Sequence, residues 1–156
     1  EIVPSSDRSR LIKLDPVLHR KEDIIVKGIN IKTFSLLHDG KEYANVKNLA
    51  YLIDIGGKKV LHTGDAKAMD ENYKNLNFSQ EGIDLLIAPF PYVSLSRGRS
   101  IIENYIKPKK IVANHLPYRE LDEFGWINAA KDNYMKVEKD FIETVFFEEI
   151  GYSTYV

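Results

Sequence analysis

The chain has 156 residues, with 22 Lys and Arg balanced by 23 Asp and Glu for a net charge of −1, and no cysteine. That length suffices for one domain with its own core, and the near-neutral balance argues against a global field for nucleic acid or anionic lipid. The absence of cysteine removes disulfides, thiolate metal sites and cysteine nucleophiles together. No apolar run approaches the ~18 residues of a membrane span, and no signal-peptide pattern opens the sequence. No membrane partner is therefore expected, and the compartment is left open.

Residues 1–23 hold two prolines and many charges and read as a leader or loop. From Ile24 the run IIVKGINIKTFSLL is rich in β-branched residues and reads as two strands, divided by a turn or bulge at Gly28 and ending near Leu37. The segment NLAYLIDIGGKKVLH predicts a hairpin: Asn48 to Ile55, a Gly56-Gly57 turn suited to positive φ, and a return strand over Lys59 to His62. A short helix is expected over Asp70 to Leu76 with Asp70 as its N-cap, although the asparagines weaken it. IDLLIA, Ile83 to Ala88, has the length and continuous apolarity of a strand buried on both faces, and Pro89 stops it. Ile101, Ile102, Tyr105 and Ile106 share one helical face before Pro108. Ile111 to Asn114 is a short strand. A helix is expected near Asn128 to Glu138 with Ala129, Tyr134 and Val137 inward, and Thr144 to Phe147 is a last strand that the tail GYSTYV could extend. Hairpin-like strands followed by alternating β and α imply a mixed α/β sheet in a single domain over 1–156.

Three residues stand out by position. His38, Asp65 and His115 each follow directly on a predicted strand, where loops of an open α/β sheet gather binding and catalytic groups. Imidazole and carboxylate are the donor types that hold a borderline divalent ion such as zinc. The three would converge if their strands run the same way. Taken singly, Gly64-Asp65 is also a common turn pair, and a strand-end histidine is often structural. His62 lies inside its strand and reads as packed and hydrogen-bonded, and His19 in the leader reads as solvated. Arg97 and Arg99 in PYVSLSRGRS are candidate substrate contacts that could fork onto a phosphate or carboxylate. Each could equally cap or solvate the nearby helix.

The order LLHDG, NLAYLIDIGGKKVLHTGD, IDLLIAP, PKKIVANH resembles the carboxyl-terminal half of the metallo-β-lactamase superfamily, and more narrowly its metal-dependent hydrolases related to sugar-phosphate lactonases. The resemblance covers about residues 24–118. It implies half of an αββα sandwich with two metals at its rim, zinc by preference with manganese or iron as alternatives. His38 and His115 would be ligands, and Asp65 the bridging carboxylate on which catalysis depends. The implied reaction is hydrolysis of an ester, lactone or phosphoester in a small-molecule substrate by a water activated on the metal. The family's first ligand motif, His-x-His-x-Asp-His, does not occur in these 156 residues. The expectation is therefore the carboxyl-terminal part of a longer hydrolase, inactive alone, that pairs with its missing amino-terminal half or with a second copy. The alternatives are a degenerate domain or a non-catalytic interaction module, whose sheet face of Leu49, Tyr51, Ile53, Leu85 and Ile87 would need covering. A nucleic-acid hydrolase is a third reading, weakened by the neutral charge.

Overall fold

The structure, a computed structural model, describes residues 12–156, so most of the leader lies outside the described residues. Seven strands form one mixed sheet in sequence order: β1 (Lys21–Val26), β2 (Ile29–Leu37), β3 (Lys47–Ile55), β4 (Lys58–His62), β5 (Leu85–Pro89), β6 (Lys110–Asn114) and β7 (Thr144–Phe146). The first four pair antiparallel, and β4 to β7 pair parallel. Two antiparallel steps separate β2 from β4, so β2 runs with β4, β5, β6 and β7. Their carboxyl ends share one edge of the sheet.

The hairpin closes as its sequence requires. Ile55 pairs with Lys58 across Gly56 (φ 59°) and Gly57 (φ 76°), the doubly positive turn that matches the right-handed twist of the flanking strands. β1 begins at Lys21, three residues earlier than Ile24, because its charged residues Lys21 and Asp23 alternate outward against half-buried Glu22 and Ile24. Period-two alternation tolerates charge on an exposed side. β5 starts at Leu85, two residues later than expected. Asp84 there accepts from the Lys59 backbone N–H at 2.9 Å and from Lys109 Nζ at 2.7 Å, fastening β4 to the approach of β6.

The helices are shorter than their sequence patterns suggest. α1 (Asp70–Tyr73) is a single turn with Met69, not Asp70, at the N-cap, and left-handed Asn77 (φ 53°) follows it. α2 (Pro91–Ser94) was not foreseen; Pro91 opens it, where a missing N–H costs nothing. α3 (Ser96–Ile101) runs into a π turn over Ile102–Ile106 and ends at Lys107 (φ 53°) before Pro108. α4 (Trp126–Met135) begins two residues before Asn128 because the Asp122 carboxylate accepts from the Trp126 and Ile127 N–H groups at 2.7 and 2.9 Å. The buried stripe is Ile127, Ala130 and Tyr134, and Val137, expected inward, lies beyond the end of α4 at Met135. Ala129, expected inward, is exposed. β7 ends at Phe146, and residues 147–156 add no strand.

One face of the sheet carries Phe34, Leu36, Ala50, Leu52, Leu61, Leu86 and Ile111, which form the core with Tyr73 of α1, Tyr92 and Val93 of α2, Ile101 of α3 and Tyr134 of α4. The opposite face presents Leu49, Tyr51, Ile53, Val60 and Ile87, all half-buried, beside buried Leu85 and Val112. The fold is thus a mixed α/β layer with its helices on one side. Among the described residues no helix is long and apolar enough to cross a membrane.

Candidate functional site

The shared carboxyl edge brings the three strand-end residues together. Asp65 Oδ2 lies 3.5 Å from His38 Nε2 and 3.6 Å from His115 Nε2. Two imidazoles therefore face one carboxylate oxygen from strands on either side of β4. His38 Nδ1 donates to the Asp39 carbonyl at 2.6 Å, a bond that places a proton on Nδ1 and turns Nε2 toward Asp65. His115 holds a left-handed backbone (φ 61°), a conformation costing a non-glycine residue about 1–2 kcal/mol. Such strain gathers at functional positions when the surrounding structure enforces it.

A frame of hydrogen bonds fixes the loop that carries the carboxylate. Asn48 Oδ1 accepts from the Asp65 N–H at 2.8 Å, while its Nδ2 donates to the Thr63 carbonyl at 3.0 Å. Gly64 (φ 60°) sits so close that a Cβ there would fall 2.4 Å from Asn48 Oδ1 and 2.8 Å from the Leu49 carbonyl. Only glycine fits this turn. The Asp39 N–H donates to the Asp65 carbonyl and the Lys67 N–H to the Leu37 carbonyl, each at 2.9 Å, which ties the end of β2 to the loop after β4. Buried Asn72 fastens the same seam: it accepts from the Leu37 N–H at 2.8 Å and donates to the Leu37 and Lys67 carbonyls at 3.0 and 2.9 Å. His19, expected to be solvated, is half-buried with Nε2 3.3 Å from Asn72 Oδ1. Beneath the loop, buried Tyr92 donates to the Ala66 carbonyl at 2.8 Å and accepts from Tyr73 at 2.5 Å. Burial raises both phenols, so the pair remains a neutral donor relay.

His62 has a structural role, as expected for a histidine within a strand. Its Nδ1 accepts from the Gly64 N–H at 2.9 Å, and burial lowers its pKa. The folded state thus prefers the neutral ring, whereas the unfolded chain protonates near pH ~6.5. The resulting stability is present above that pH and is lost as pH falls toward the depressed folded value. Urea midpoints should therefore drop between pH 7.5 and 5.5, with a shallower drop in His62→Gln. Equal slopes in the two proteins would contradict this.

Arg97 and Arg99 do not join the cluster. Arg99 Nη1 donates to the Val93 carbonyl at 2.9 Å, capping α2, and Arg97 is exposed. Asp39, Glu42, Tyr43 and Tyr92 line a cavity of about 230 Å³ with Asp65 and His115. A larger cavity of about 650 Å³ opens on the far side of His115.

The donors suit a divalent ion in kind and spacing. Ligands bonded at ~2.1 Å around a tetrahedral ion lie about 3.4 Å apart, close to the 3.5 and 3.6 Å observed here. Among the described residues, however, no group of three or more His, Cys, Asp or Glu side chains is placed so that it could hold an ion. The set is one carboxylate oxygen between two imidazoles.

No protein-family model matches the chain, and no curated protein matches it. Among solved structures, the chain is similar to a Thermotoga maritima protein assigned, by inference, as a Zn-dependent hydrolase of the metallo-β-lactamase superfamily. The two share 19% identity at a TM-score of 0.54, over 84% of this chain and 71% of that one. The likeness is one of fold.

Proposed function

We propose that the sheet edge is the carboxylate and imidazole part of a metal-dependent hydrolase centre acting on an ester, lactone or phosphoester. The observation that carries this reading is Asp65 Oδ2 lying within 3.6 Å of both the His38 and His115 Nε2 atoms. The likeness to a fold neighbour described as Zn-dependent supports zinc, with manganese or iron compatible with the same donors. A bound ion would supply Lewis acidity and a water of lowered pKa. The chain's own residues hold and orient. His38 and His115 offer imidazole nitrogens, Asp65 offers the carboxylate between them, and Asn48, Asn72 and Tyr92 keep the loop in register. Three donors divided over two positions are fewer than the three per ion typical of a catalytic zinc, so the proposal calls for further donors, of the His-x-His-x-Asp-His kind or from a second copy.

Assayed as the polypeptide its gene encodes, the protein should hydrolyse at least one of a p-nitrophenyl ester, a δ-lactone and a phosphodiester, with chelation abolishing turnover. No turnover with zinc, manganese or iron would refute the reading. The half-buried apolar face of Leu49, Tyr51 and Ile53 favours a second reading, an interaction module whose sheet packs on another. That reading predicts assembly without any metal dependence.

A further inference from the structure

We infer that the larger cavity beside His115 binds an uncharged hydrocarbon chain of the substrate, so that the compound hydrolysed is an apolar acyl ester or lactone rather than a sugar phosphate; this rests on the hydrolase reading above. Its volume of about 650 Å³ falls within the ~300–1,000 Å³ typical of small-molecule sites. The walls come from Phe90, Leu95, Leu116, Pro117, Trp126 and Ala130, and the lining holds no Lys, Arg, Asp or Glu. A phosphate would find no Lys or Arg there. His115 lines this cavity and also the small one at Asp65, so a molecule filling the cleft has its end at the carboxylate and imidazole cluster.

The mouth carries apolar surface that the fold itself does not use. Trp126 is 51% exposed and Leu95 54%, and the Phe90 and Trp126 rings stand 6.3 Å apart at 47°. Large apolar side chains held rigidly in water beside a polar cluster gain by covering a ligand. The rigidity has local causes. Asp122 pins the start of α4 at Trp126 and Ile127, and the Phe90 N–H donates to the Asn114 carbonyl at 2.9 Å, fixing one wall to the strand that delivers His115.

Trp126 is the only tryptophan in the chain, so its fluorescence reports on this cleft independently of turnover. The probes are methyl butanoate, methyl hexanoate and methyl octanoate, with glycerol phosphate as the charged comparison. Emission should shift with the esters, and the dissociation constant should fall about fourfold per added methylene. Glycerol phosphate should leave the emission unchanged. Exposed Ala129 lines the cavity without entering the core, so Ala129→Asp should fold normally and weaken octanoate binding at least tenfold, as expected for a carboxylate set against hydrocarbon. A chain-length ladder without turnover of any ester sinks the hydrolase reading while the hydrocarbon cleft stands. Indifference of Trp126 to chain length, or wild-type binding by Ala129→Asp, overturns the cleft whatever the activity.

Discussion

Asp65→Ala is expected to remove zinc binding and hydrolysis together. Both imidazoles approach the same Asp65 oxygen, so deleting it strips the donor they share and leaves two rings with no carboxylate between them. Altering residues that merely support metal ligands typically costs 10–100-fold in affinity or activity; loss of the central donor should exceed the upper end, about 100-fold or more. The backbone should hardly notice, because the Asn48 amide bonds the main chain at residue 65 and not its side chain. Zinc affinity by calorimetry and thermal unfolding of the same variant separate these effects. Wild-type zinc affinity in a folded Asp65→Ala protein would return Gly64-Asp65 to an ordinary turn.

The largest loss of stability should come from Gly98→Ala. Gly98 is buried in α3, and a Cβ there would lie 2.4 Å from the Tyr92 Cα, 2.5 Å from the Pro91 carbonyl oxygen and 2.7 Å from the Tyr92 carbonyl oxygen. All three neighbours are backbone, so no side chain can swing aside and α3 must move off α2. Overpacking of this kind costs about 1–3 kcal/mol and sometimes more. At the upper end that lowers the melting temperature by about 10 °C for a domain of this size. Pro91 lines both cavities beside His115 and Tyr92 lines the smaller one, so zinc affinity should weaken as well. A melting temperature within 2 °C of wild type, an interval taken as about the resolution of such a comparison, would show that the two helices are not packed as described.

Local chemistry made much of the sheet legible. Gly56-Gly57 permits one tight hairpin, the apolar run IDLLIA anticipated most of β5, and the placement of His38, Asp65 and His115 after strands anticipated their common edge. The helices were harder to read because their limits depend on distant partners. Asp122 sets the start of α4 through its side chain. The supporting residues were hidden for a related reason. Asn72 looked like a weakness in a helix, yet its amide joins Leu37 to Lys67 across the fold. Asn48 and Tyr92 act likewise, through backbone atoms that no local pattern reveals. Arg99 shows the converse, a residue of recognisable binding chemistry used to cap the preceding helix, α2.

Nitrogen-15 spectra of the histidine side chains during zinc titration test the central claim most directly. The chain has four histidines, and two serve as internal controls: His62 has its Nδ1 occupied by the Gly64 N–H, and His19 contacts Asn72. The account predicts that the Nε2 resonances of His38 and His115 both shift on zinc addition, that His19 and His62 stay in place, and that Asp65→Ala abolishes both shifts at the same zinc concentration. Response of only one of the two imidazoles, or shifts that persist without Asp65, would contradict it.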